Sequence, residues 1–128
     1  SKAILLAVTQ LTSTTEEAMH EELLIPQTMQ ETVAQYALNA KKAGCDGVVC
    51  SPLEVEIVKQ VCGEDFQTVT PGIRFATDSK GDQKRVTTPA IAHQLGSDYI
   101  VVGRSITKAE NPVEAYRLAT KQFQTGEE

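Results

Sequence analysis

Gly96-Ser97-Asp98-Tyr99-Ile100-Val101-Val102-Gly103-Arg104-Ser105 runs from a helix-stopping glycine through a short apolar strand to a second glycine and an arginine. Its first half echoes Gly44-Cys45-Asp46-Gly47-Val48-Val49: glycine, any residue, aspartate, then a valine-rich run. An echo of this kind marks repeated βα units. Its second half bears on chemistry, because Gly103 permits close backbone approach and Arg104 sits at the mouth of whatever follows. A related element lies upstream in Thr68-Val69-Thr70-Pro71-Gly72-Ile73-Arg74, a β-favouring run that breaks at Pro-Gly and delivers an arginine just beyond the break. Two strands thus end in two arginines. Backbone N–H groups and guanidinium groups facing one small volume suit an anion such as phosphate.

Outward from these two stretches the chain reads as strand followed by helix, four times over. Lys2 to Thr9 holds a continuous apolar run, the pattern of a strand buried on both faces, and a buried strand so close to residue 1 suggests that something normally precedes it. Thr14 or Thr15 caps a helix that opens on Glu16-Glu17 and fades by Pro26. Met29, Val33, Tyr36, Ala37 and Ala40 recur at helical spacing from Thr28 until Ala43-Gly44. Val48-Val49-Cys50 is the second strand. Ser51-Pro52 opens the next helix, which carries Leu53, Val55, Ile57, Val58 and Val61 and stops at Gly63. Gln67 to Thr70 is the third strand, followed by a polar loop from Phe75 to Val86. Thr88-Pro89 starts a helix over Ala90–Leu95, Tyr99 to Val102 is the fourth strand, and Asn111-Pro112 begins a last helix with Val113, Tyr116, Leu118, Ala119 and Phe123 on its apolar side.

Composition narrows the functional classes. The chain has 128 residues, 41% of them hydrophobic, which suffices for a modest core. Its net charge of −5 and scattered basic residues argue against a nucleic-acid backbone or an anionic membrane as main partner. The sequence contains no stretch of membrane-spanning length and no charged-then-apolar leader. Cys45, Cys50 and Cys62 form no CxxC pair and read as buried, reduced thiols of a cytoplasmic protein, without a disulfide or zinc framework. His20 and His93 fall in helices with no ligand or nucleophile pattern around them.

Four βα units fit an open parallel sheet or part of a barrel. The units are about 30 residues each, which matches a barrel of about 250 residues, and the phosphate-suited loops follow the last two strands, where barrels commonly hold phosphate. The fold expected is therefore α/β, four βα units forming the C-terminal half of a (β/α)8 TIM barrel. Residues 1–128 would be one half-barrel carrying the phosphate-binding loops, a fragment of a single barrel domain.

At this point the residues resemble a known family. Leu5-Leu6-Ala7-Val8-Thr9-Gln10-Leu11-Thr12-Ser13, Asp46-Gly47-Val48-Val49-Cys50-Ser51, Thr68 to Arg74, Gly81-Asp82-Gln83 and Val101-Val102-Gly103-Arg104-Ser105-Ile106-Thr107 together resemble bacterial orotidine 5′-phosphate decarboxylase, in register over essentially the whole chain. The resemblance implies a homodimeric, cytoplasmic carboxy-lyase of pyrimidine biosynthesis, a (β/α)8 barrel that converts orotidine monophosphate to uridine monophosphate and CO2 with neither metal nor organic cofactor. It implies that Arg74 and Arg104 grip the 5′-phosphate, with the Gly103 and Arg104 backbone at the same oxygens. Gln83 would reach from pyrimidine to phosphate on a closing loop, Thr12 would meet the amide edge of the pyrimidine, and Pro71 would wall the ring.

One departure is informative. The family's catalytic strand, an Asp-x-Lys-x-x-Asp pattern with another lysine before it, has no counterpart in this sequence, so no catalytic residue is assigned and the chain by itself is expected to be inactive. Asp78, Lys80, Asp82 and Lys84 alternate in charge, but read as a solvated loop, since an exposed stretch cannot hold charges in a dry, preorganised geometry. Two other readings stay open. Another phosphate-binding barrel enzyme, such as a sugar-phosphate decarboxylase or epimerase, would share Gly103-Arg104 but has no reason to keep Pro71-Gly72-Ile73-Arg74 with Gln83. A non-enzymatic half-barrel module that binds a phosphate ligand, or pairs with itself, would be stable alone. Without the missing N-terminal half, a fragment would instead expose apolar edges on its first and fourth strands and associate or aggregate to cover them.

Overall fold

The computed structural model describes residues 3–78 and 87–128. Strands β1 (Leu6–Val8), β2 (Gly47–Val49), β3 (Gln67–Thr70) and β4 (Tyr99–Ile100) form one parallel sheet in the order β1-β2-β3-β4. Ala7 lies beside Val48, Val48 beside Thr68, and Val69 beside Tyr99. Sequential order separates a barrel arc from a doubly wound sheet, whose strand order reverses at a switch point. Right-handed crossovers in sequential order put the connecting helices on one face of the sheet.

The helices are α1 (Glu16–Glu21), α2 (Met29–Lys42), α3 (Val55–Cys62), α4 (Pro89–Gln94), α5 (Arg104–Thr107) and α6 (Pro112–Thr125); α2 packs on β2 and α3, and α6 on α4 and α5. Their starts follow the local chemistry of the sequence. Thr15, Thr28, Thr88 and Asn111 each accept a backbone N–H of the first turn, and proline opens α4 and α6 where no N–H is needed. Ser51 and Glu54 form a reciprocal capping box around a short 3₁₀ turn, Pro52–Glu54, that leads into α3. The core lies between α2, α3 and the middle strands: Val33, Ala37, Ala40, Val48, Cys50, Val55, Val58, Cys62 and Phe66.

The repeated aspartate has a structural reason. Asp46 accepts the Leu5 amide at 2.7 Å, and Asp98 accepts the Thr68 amide at 2.9 Å. Each aspartate therefore ties the start of its own strand to the neighbouring strand that precedes it. Lysines serve the same floor of the sheet. Lys41 Nζ donates to the Cys62 carbonyl at 2.6 Å, and buried Lys59 donates to the Glu64 and Phe66 carbonyls and to Asp98.

Several expectations need correction. The first strand is not buried on both faces: Leu5 is 60% and Val8 58% exposed, because β1 has a sheet neighbour on one side only and no layer over its second face. The fourth strand stops at Ile100 rather than Val102, although the Val101 amide still donates to the Thr70 carbonyl at 3.0 Å. In α6 only Ala119 and Gln122 are buried, and Val113, Tyr116 and Leu118 stay exposed along the supposed apolar side. Cys45 is half-buried rather than buried. Among the described residues no helix is long and apolar enough to cross a membrane.

Candidate functional site

Parallel strands carry all their C-terminal ends to one end of the sheet, so the loops after β1, β2, β3 and β4 meet there. The loops that hold the arginines are immediate neighbours, because Thr70 pairs with Ile100 at the last rung of β3 and β4. Pro71 and Gly72 then turn the chain away, with Gly72 at φ +76°, a conformation that disfavours any side chain. Beyond the turn Ile73 and Phe75 are buried at 2% and 7% exposure, with Arg74 half-buried between them. Alternation in an extended segment sends Arg74 to the opposite side from its two apolar neighbours. Its amide donates to the Thr87 carbonyl at 3.0 Å, which pins the backbone at the guanidinium-bearing residue.

On β4 the chain leaves the sheet at Val102 and enters α5 at Arg104, with Gly103 as the cap. The first turn of a helix has no upstream carbonyls for its amides, so backbone donors cluster beside the exposed Arg104 side chain. Asp78 joins the two loops. Its Oδ2 accepts the Phe75 amide at 2.9 Å and the Ser105 hydroxyl at 2.5 Å. The structure thus corrects the reading of Asp78 as one charge of a solvated loop: it is half-buried and bonded across to the neighbouring βα loop. Lys80, Asp82 and Lys84 lie outside the described residues, and so does Gln83.

Thr12 is exposed in the loop after β1, at the same end of the sheet but two strands away from the arginine pair. That loop is tied to β2 by Thr9, whose amide and hydroxyl both donate to the Val49 carbonyl. Pro71 is half-buried at the head of the β3 loop. The structure therefore brings Pro71, Arg74, Gly103 and Arg104 together at the ends of adjacent strands and leaves Thr12 on the far side of the same rim.

Nucleophilic chemistry finds no support in the cysteines. Cys50 is buried beside Glu54, and burial first, then that carboxylate, push its thiol up to about 12 against the pull of Lys59. Burial also pushes Cys62 up, with Lys41 pulling the other way. Both histidines serve as struts: His20 Nε2 donates to the Gln27 carbonyl at 2.8 Å, and His93 Nδ1 to the Phe123 carbonyl at 2.6 Å. Among the described residues no three histidine, cysteine, aspartate or glutamate side chains come together to hold a metal ion.

Fold and rim define a class: a parallel α/β half-barrel whose adjacent βα loops each carry an arginine at the C-terminal end of the sheet. Residues 1–119 match the model of the family described as Orotidine 5'-phosphate decarboxylase / HUMPS family, and the chain belongs to that family. It is 58% identical over 123 residues to an orotidine 5'-phosphate decarboxylase of Bacillus cereus (strain AH187), with 96% of this chain and 52% of that protein covered. The crystal structure of orotidine 5'-phosphate decarboxylase from Lactobacillus acidophilus superimposes with a TM-score of 0.79 at 43% identity, over 94% of this chain and 49% of the other. An uncharacterized conserved protein from Geobacillus kaustophilus gives a TM-score of 0.76 at 45% identity, over 92% and 47%. The chain thus spans about half the length of the curated relatives it matches.

Proposed function

We propose that this chain is the phosphate-gripping, C-terminal half of an orotidine 5′-phosphate decarboxylase, which releases CO2 from orotidine monophosphate to give uridine monophosphate in pyrimidine biosynthesis. The observation that carries the reading is the placement of Arg74 and Arg104 on neighbouring loops pinned to each other through Asp78. Two guanidinium groups and a row of free backbone amides match a phosphate dianion in charge and donor number. Arg74, Gly103 and Arg104 hold the phosphate, Pro71 walls the pyrimidine, Thr12 meets its amide edge, and Gln83 reaches from ring to phosphate. The lysines and aspartates that perform the decarboxylation belong to the N-terminal half, whose four βα units close the sheet into a barrel. The complete enzyme is a cytoplasmic homodimer that needs no cofactor.

The physical logic explains why a half without the chemistry matters. Loss of CO2 leaves a poorly stabilised carbanion on the pyrimidine, so interactions with a remote group must help to assemble and close the site. A phosphate held by two arginines supplies that remote binding energy. The test is decarboxylation of orotidine monophosphate by this chain alone, by the complementary half alone, and by both together. Turnover only on mixing, lowered at least about a hundredfold in kcat/KM by Arg104→Ala, is the expected result. Turnover by these 128 residues alone, or an Arg104→Ala variant within a few-fold of the parent, would overturn the assignment.

A further inference from the structure

Asp78 is a carboxylate placed where a site built for a dianion has least use for one, close to both arginine-bearing loops. Its geometry resolves the conflict. Oδ2 takes two donors at once, the Phe75 amide at 2.9 Å and the Ser105 hydroxyl at 2.5 Å. Phe75 follows Arg74 directly, and its ring is buried at 7% exposure, so this end of the bridge is fixed to the core. Ser105 follows Arg104 directly, in the first turn of a four-residue helix with no buried residue of its own. Among the described residues, the other side-chain hydrogen bond of α5 is internal, from the Thr107 hydroxyl to the Gly103 carbonyl.

We propose that Asp78 is a positioning residue that sets the distance between the two arginines, with Ser105 as its partner. Through one acceptor oxygen, the segment Ile73 to Phe75, whose apolar side chains are buried, lends its rigidity to a turn after β4 that buries none of its own. Arg104 then sits at its working place before the ligand arrives, and the ordering cost is not drawn from phosphate binding. The two donors engage the charge of Oδ2 in protein hydrogen bonds. This inference rests on the phosphate-gripping reading of Arg74 and Arg104.

The experiment uses the full-length protein that contains this chain, with kcat/KM measured for orotidine monophosphate and for orotidine, the same substrate without phosphate. A residue that only supports the fold lowers both constants in proportion. A residue that sets the phosphate grip lowers their ratio. Asp78→Ala is expected to lower the ratio about tenfold or more, and Ser105→Ala to do the same while removing a single hydroxyl from an otherwise intact fold. The double variant should lower it no further than either single one, because both changes break one link. Asp78→Asn keeps an acceptor oxygen for both donors and should stay within about threefold of the parent. Equal losses on both substrates in Asp78→Ala and Ser105→Ala would overturn the proposal. Arg104→Ala separates the two levels of the argument. If it lowers the ratio and the Asp78 and Ser105 variants do not, positioning alone fails; if it leaves the ratio unchanged, the phosphate reading fails with it.

Discussion

Glu54 shows how much one buried carboxylate can be asked to do. It is 7% exposed and its Oε1 accepts the Ser51 amide at 3.0 Å, closing the capping box that starts the 3₁₀ turn before α3. Burial raises its pKa above the usual carboxylate value, and the Ser51 bond opposes the shift. A carboxyl with a folded pKa above its unfolded one binds more protons in the folded state. Its ionised form therefore costs stability above the folded pKa, and the cost is relieved as pH falls through that value. Glu54→Gln keeps an oxygen for the Ser51 amide and removes the charge. The glutamine variant should be more stable than the parent by about 0.5–1 kcal/mol near pH 8, with the gain shrinking toward pH 5. Urea unfolding at the two pH values decides it, and a glutamine variant that is less stable at both would show that the carboxylate is needed as an ion. The capping role of this residue could be read from Ser51-Pro52-Leu53-Glu54 alone. Its burial could not, because that depends on tertiary packing around the turn before α3. Asp78 teaches the same lesson from the other side: its neighbours in sequence are loop-like, and the partner that defines it, Ser105, is 27 residues away.

At the scale of elements, spacing between strands was written into the sequence more plainly than strand length. Gly47 opens β2 opposite Gln67, and a Cβ there would stand 2.3 Å from the Gln67 carbonyl oxygen. The obstacle is backbone, so no side-chain rearrangement relieves it. Gly47→Ala must push β2 from β3 at the rung where Asp46 and Gln67 also share a backbone bond of 3.1 Å. We expect a loss of about 2–3 kcal/mol, at the upper end for overpacking, read as a drop in the urea midpoint of unfolding. A midpoint unchanged within error would mean that the two strands are free to separate. The glycine–aspartate echo was legible as a repeat because it recurs before β2 and β4. Its purpose, tying the preceding strand at the floor of the sheet, emerges only when Leu5 and Thr68 are seen to be the recipients. The exposure of the outer strands β1 and β4 is not legible in the sequence, for one reason. An apolar run looks the same whether or not a second layer covers it, and these outer strands have a covered face and a bare one.

That bare face governs the behaviour of the whole molecule. Val48 and Cys50 belong to the core under the helices, so alternation turns Leu6, Val8, Val49, Val69 and Val101 to the other side of the sheet. Val8 and Val101 are 58% and 50% exposed, on the two outer strands of the sheet. A contiguous apolar surface flanked by two free parallel edges is a template for further strands. Alone at tens of micromolar, the chain should sediment as dimers or larger species. An equimolar amount of the complementary half should replace these with a single 1:1 complex, since that half offers strands for both edges at once. Val8→Lys combined with Val101→Lys should weaken both kinds of association, because the lysines charge the shared inner layer and leave the helix-side core of Val33, Val48, Val55 and Val58 untouched. A monodisperse monomer with cooperative unfolding would instead mean that the four βα units are sufficient by themselves. In that case the half-barrel would have to be regarded as a module in its own right, its paired arginines serving a ligand without the rest of the barrel.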